Sequence, residues 1–108
     1  MNNKTYLHHT AIQVKDIKTS VDFYVLTFDA KVLHEDSTWA LLSLNTETKL
    51  ALVLPSEHPR HIAIVSKLAS AYQYEFEEHR DGIKYKYIKD PSGNVIELLD
   101  PDSVDSSQ

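Results

Sequence analysis

Three residues of this 108-residue chain could act together on a metal ion: His9, His61 and Glu97. Two imidazoles and one carboxylate are the ligand set of a facial triad. Such a set accommodates Zn, Mn, Fe(II), Ni or Co and leaves coordination positions open for water or substrate. Glu97 poses the question most sharply. It lies in DPSGNVIELLDP (90–101), flanked by Val95, Ile96, Leu98 and Leu99. Burying an unpaired carboxylate there is costly, and a divalent cation would supply its charge partner. Taken singly, a histidine on a strand is more often a surface or hydrogen-bonded residue, and a strand glutamate more often faces water. Separations of 52 and 36 residues between the three form no motif by themselves.

The elements that must position them can be read from the chain. Residues 6–14 (YLHHTAIQV) have strand composition, with His9, Ala11 and Gln13 on one face and Thr10, Ile12 and Val14 on the other. Asp16 is placed to cap a helix running to about Leu26, with Ile17, Val21, Tyr24 and Val25 as its apolar stripe. FDAKVL (28–33), TWALLSL (38–44) and KLALVLP (49–55) read as strands separated by the polar breaks HEDS and NTET. After the connector PSEHPR (55–60), HIAIVS (61–66) is a strand and KLASAYQ (67–73) a helical turn or two. YEFEEHR (74–80) and IKYKYIK (83–89) alternate as strands, DPSG (90–93) fits a type I turn, and VIELL is the last strand. The tail PDSVDSSQ is expected to fray.

The order strand–helix–three strands thus occurs twice. HTAIQVK (9–15) and HIAIVSK (61–67) share His, Ala, Ile and Lys at the same offsets, so each unit opens on a histidine of the same parity. Small residues follow on the histidine's face, Ala11 after His9 and Ala63 after His61. On the last strand Glu97 shares its face with Val95 and Leu99, which assigns Ile96 and Leu98 to the core face.

Bulk properties exclude several classes. One small domain, 1–108, is expected, with 42% hydrophobic and 25% charged residues and a net charge of -5. No basic face forms, so nucleic acid is not an expected partner. The absence of cysteine removes disulfides, thiolate ligands and thiol nucleophiles. Two glycines leave no phosphate-cradling loop. The longest aliphatic run, LALVL (50–54), is too short for a membrane helix, and MNNKTYLHH is no signal peptide. A soluble cytoplasmic protein is the expectation.

HHTAIQVKDIKTSVDFYVLTFDAKVL, RHIAIVSK and YKYIKDPSGNVIELLD resemble the vicinal oxygen chelate superfamily. It holds glyoxalase I, extradiol dioxygenases, and fosfomycin- and bleomycin-resistance proteins. The likeness extends over residues 6–100, and DPxGNxIEL is its most specific part. It implies an α+β fold of paired βαβββ modules, about 6–55 and 60–100. Their mixed sheet would curl into a cup, with helices outside, around one divalent metal held by His9, His61 and Glu97. It also implies a small-molecule substrate and a homodimer.

Departures from the family narrow the function. The resemblance to glyoxalase I carries a fourth ligand on the last strand of the first module, where Val53 is expected here. The resemblance to fosfomycin-resistance enzymes keeps the triad and Tyr87. It replaces a threonine by Ala11, and it sets EFEEHR (75–80) where an anionic substrate would want cations. Extradiol dioxygenases are matched by His79, Tyr87 and Glu97, with Glu77 and Lys86 as mismatches. That reading makes His79 and Tyr87 the catalytic pair, steering protons at the metal. Among Glu77, Glu78 and Arg80, however, His79 also reads as a solvated edge residue, and that reading is favoured. Asp29 stands where the family has a glycine after the first helix. His8, His34 and His58 are assigned to the surface or to support of the ligands, and Trp39 and Phe23 to the core. The reading is a metal-dependent lyase, isomerase or dioxygenase acting on vicinal oxygens. The alternatives are an extradiol dioxygenase assisted by His79 and Tyr87, or a non-catalytic ligand-binding protein.

Overall fold

The computed structural model describes residues 5–45, 47–66, 76–79 and 82–107. They form eight strands and two helices, an α+β chain with parallel and antiparallel strand pairs. Contacts divide it into two compact units, His9–His61 and Met1–His8 with Ile62–Gln108.

The first unit carries β1 (Tyr6–Gln13, from His9 on), α1 (Ile17–Phe28), β2 (Lys31–Glu35), β3 (Trp39–Ser43) and β4 (Lys49–Val53). Strand order is β2-β3-β4-β1, with β1 parallel to β4 and the other pairs antiparallel. Asp16 caps α1: one carboxylate oxygen accepts from the Thr19 backbone N–H at 2.8 Å and from its hydroxyl at 2.6 Å. The helix runs two residues beyond Leu26 and stops at Asp29, whose φ of 57° is left-handed. The Asp29 N–H reaches back to the Val25 carbonyl at 3.0 Å. A non-glycine residue is strained there, so Asp29→Gly is expected to stabilise the fold by roughly 1 kcal/mol, read as a higher urea midpoint.

Even-numbered strand residues meet the helix. Leu42, Leu52, Ala40 and Ala30 bury against Ile17 and Val21, with Ile12, Leu50, Tyr24 and Val25 at the edge of the cluster. The odd-numbered face carries a second cluster: Ala11, Ala51 and Val53, with Trp39 and Leu41 packed on it. His9 has the parity of this second face.

The other unit repeats the order. β5 (His61–Val65), β6 (Glu77–Glu78), β7 (Lys84–Lys89) and β8 (Val95–Leu99) are arranged β5-β8-β7-β6, again with the first and last strands parallel. The expected helix 67–73 lies outside the described residues, as does part of the expected strand 74–80. The DPSG turn is present: the Gly93 N–H donates to the Asp90 carbonyl at 3.0 Å. The Asp90 carboxylate accepts from the Asn94 side-chain amide and from the backbone N–H groups of Asn94 and Ser92, and these bonds hold its pKa down.

Two expectations are corrected here. The tail does not fray at Pro101: α2 (Pro101–Ser107) follows β8 directly. Asp100 starts it by accepting from the Asp102 N–H, and its carbonyl accepts from Ser103 and Val104. The Ser103 hydroxyl oxygen accepts from the Lys84 N–H at 2.8 Å, which ties the helix to β7. Val104, 2% exposed, packs with Ala63, Val65, Ile83 and Leu99. That cluster also corrects the assignment of the core face, because Ala63, Val65 and Leu99 lie on the face of Glu97. Leu98 is buried too, so β8 is covered on both sides, while Ile96 is only half-buried. No helix among the described residues is long and apolar enough to cross a membrane.

Candidate metal centre

His9 lies within β1 and His61 opens β5, and the fold brings them together. Their ring centroids are 5.5 Å apart at an interplanar angle of 73°, with ring nitrogens within 4.8 Å of one another. His61 is buried at 8% exposure. Its Nδ1 lies 2.9 Å from the Pro59 carbonyl. A carbonyl oxygen only accepts, so Nδ1 carries the proton. This is the arrangement by which a backbone oxygen sets the tautomer of a metal-ligating histidine. The proline connector therefore does more than join the units, which the sequence gives no means of seeing.

Glu97 lies on β8 with 3% of its surface exposed. The register sets Ala63 of β5 on one side and Tyr87 of β7 on the other. Its Oε2 is 2.7 Å from Nε2 of His79. The favoured edge-residue reading of His79 is thus corrected: its side chain is 33% exposed but turned onto Glu97. The His79 ring stacks on Tyr85, with centroids 3.7 Å apart and 10° between planes. Tyr85 in turn meets Tyr87 edge-on at 5.6 Å. Tyr87 is the better buried of the two phenols. Burial pushes its pKa well above the ordinary tyrosine value, and the Glu97 carboxylate adds to the rise. Tyr85 moves the same way through burial, with Glu77 and Glu97 as lesser causes. Tyr87 thus holds its proton at neutral pH and can donate a hydrogen bond but not act as a base.

The repeat locates the position that corresponds to Glu97. Ala63 pairs with Glu97, and its counterpart 52 residues earlier, Ala11, pairs with Ala51. The counterpart of Glu97 in the first unit is therefore Ala51, two residues from the expected Val53. Both residues are aliphatic, so the first unit offers no ligand there. Of the remaining histidines, His8 is buried rather than at the surface. His34 is exposed, stacks on Trp39 at 4.3 Å and bonds Asp36 at 2.8 Å. His58 gives its carbonyl to the Gln13 amide at 3.0 Å. Trp39 is half-buried beside Ala51 and Val53, whereas Phe23 is exposed on α1, contrary to its expected place in the core.

The donor chemistry fits a divalent cation: a nearly buried carboxylate, and an imidazole with its tautomer set from behind. Comparison with known proteins agrees with this fold. The family model described as Glyoxalase/Bleomycin resistance protein/Dioxygenase superfamily matches residues 6–69. No curated protein matches the chain. Among solved structures, the chain is similar to methylmalonyl-CoA epimerase from Mycobacterium tuberculosis. The two are 19% identical, with 94% of this chain and 91% of that one covered, at a TM-score of 0.72. A hypothetical protein from Bacillus halodurans C-125 is 21% identical over 90% of this chain and 94% of its own, at 0.69. A Vibrio splendidus 12B01 member of the same superfamily is 15% identical over 90% and 99%, at 0.60. With its match over residues 6–69, the chain belongs to the glyoxalase/bleomycin resistance protein/dioxygenase superfamily.

Proposed function

We propose that His9, His61 and Glu97 hold one divalent metal ion, and that the chain is a metal-dependent enzyme acting on a small substrate with two neighbouring oxygens. The observation that carries this reading is the preparation of the donors. His61 has its Nδ1 proton directed at Pro59. Glu97 is a carboxylate with 3% exposure, which would cost several kcal/mol if left uncompensated. When bound, the ion supplies Lewis-acid polarisation of a substrate oxygen. Three protein ligands leave room for a bidentate substrate.

The chain's own residues shape what that chemistry can do. Ala51 removes a second carboxylate from the ligand set, and with it a base of the kind an isomerisation at the metal would use. Tyr87, opposite Glu97 and holding its proton, can donate to a substrate oxygen. A second reading, extradiol ring opening, is favoured by the adjacency of Tyr87 and His79 to Glu97. A homodimer is compatible with the exposed apolar face of α1, where Phe23, Leu26 and Phe28 stand out into solvent.

Metal titration of the purified protein tests the reading. One equivalent of Zn, Mn, Fe(II) or Ni should bind, and His61→Ala should weaken binding by more than about 100-fold. That exceeds the 10- to 100-fold loss typical of residues that only support a ligand. Equal uptake by both proteins would end this assignment.

A further inference from the structure

Each half of the chain stacks a histidine on an aromatic ring from the adjoining strand, and the two stacks differ in one respect. In the first unit, β3–β4 register sets Leu41 opposite Ala51 and Trp39 opposite Val53. In the other, β7–β8 register sets Tyr87 opposite Glu97 and Tyr85 opposite Leu99. Trp39 and Tyr85 are therefore counterparts. Trp39 carries the ring of His34, and Tyr85 carries the ring of His79. Where the carboxylate position is Ala51, the histidine turns to Asp36, two residues along its own chain, in an exposed pair. Where it is Glu97, the histidine turns inward and bonds the carboxylate.

We infer that His79 and Tyr85 form a positioning pair that sets the orientation of Glu97 for metal binding, so that His79 is a supporting residue and not the acid–base residue of the extradiol reading. The inference rests on the metal assignment proposed above.

The hydrogen-bond chemistry is one-directional. A carboxylate accepts, so the proton between the two lies on Nε2 of His79. Oε2 of Glu97 is held from that side. A glutamate has three side-chain torsions, and holding them before the ion arrives reduces the ordering cost of binding. His79 can hold them only if its own ring is fixed. The near-parallel Tyr85 ring fixes it, and Tyr85 is packed against the cluster of Ala63, Val65, Leu99 and Val104. The support thus extends through α2, whose Ser103 is bonded to the N–H of Lys84 beside Tyr85. The Nε2 proton is committed to Glu97 and is not available to a substrate.

Co(II) titration followed by its visible absorption is the test, on wild type, His79→Ala, His79→Gln and Tyr85→Leu, with folding checked by circular dichroism. His79→Ala should weaken Co(II) binding about 10- to 100-fold and shift the ligand-field bands. His79→Gln keeps an N–H donor and should recover most of the loss. Tyr85→Leu should fall between. Binding by His79→Ala within twofold of wild type overturns the inference, and so does a Gln variant as weak as Ala. A wild type that takes up no Co(II) defeats the metal assignment instead. In that case the nitrogen-15 shifts of the His79 ring in metal-free protein decide the positioning pair separately. They should report a protonated Nε2 that moves in Glu97→Ala, and no response would overturn the pair.

Discussion

Glu97→Gln is expected to lose the divalent metal while keeping the fold. The two side chains have the same shape, so packing against Ala63 and Tyr87 survives. The amide oxygen can still accept the His79 Nε2 proton. What disappears is the negative charge. In the metal-free protein that charge is a burden, because Glu97 is 3% exposed. Metal-free Glu97→Gln should therefore melt no lower than metal-free wild type. With metal the order reverses. Removing one partner of a buried charge pair costs roughly 3–5 kcal/mol, an affinity loss on the order of 1000-fold. At a metal concentration near 100 times the wild-type Kd, wild type should gain about 2.7 kcal/mol of stability and the variant almost none. Elemental analysis and paired thermal melts read both effects. Stoichiometric metal in Glu97→Gln would remove Glu97 from the ligand set.

Leu52→Ala should be the most damaging small change to the first unit. Leu52 is 0% exposed and sits in β4 among Ala40, Leu42, Ile17 and Val21, where α1 meets the sheet. Truncating a leucine in such a place costs about 2–5 kcal/mol, the loss growing with the cavity that remains. Ala40 and Ala30 are already small, so the neighbours have little reach with which to fill the space. For a chain of this size each kcal/mol lowers Tm by several degrees, so a drop on the order of 10 °C or more is expected. Ile62→Ala, on a side chain 37% exposed, should cost clearly less. Thermal melts that rank the two in the opposite order would contradict this picture of where α1 gains its support.

How far such features can be read in advance depends on the range of the interaction that makes them. The Asp16 cap, the turn at Asp29 and the DPSG turn all close within about four residues, and all three are present. The repeat of HTAIQVK and HIAIVSK marks two halves because matching offsets impose matching faces. Strand register is a longer-range matter. Ala51, not Val53, corresponds to Glu97 because the slant of a parallel pair decides which residues meet. The same limit hid the tail helix, which gains from burying Val104 against residues about 5 to 40 positions away.

The residue types and the 52-residue repeat in the sequence already single out His9 and His61 as matched imidazoles, and the aliphatic setting of Glu97 marks it as a carboxylate in need of a partner. Only the tertiary structure decides how those groups are prepared. The Pro59 carbonyl sets the His61 tautomer, and His79 reaches Glu97 across 18 positions instead of standing in solvent. Charged neighbours in the chain argue for exposure. What overrides them is the stacking of His79 on Tyr85 and a buried carboxylate in need of a donor, and both come from strands that only folding brings alongside.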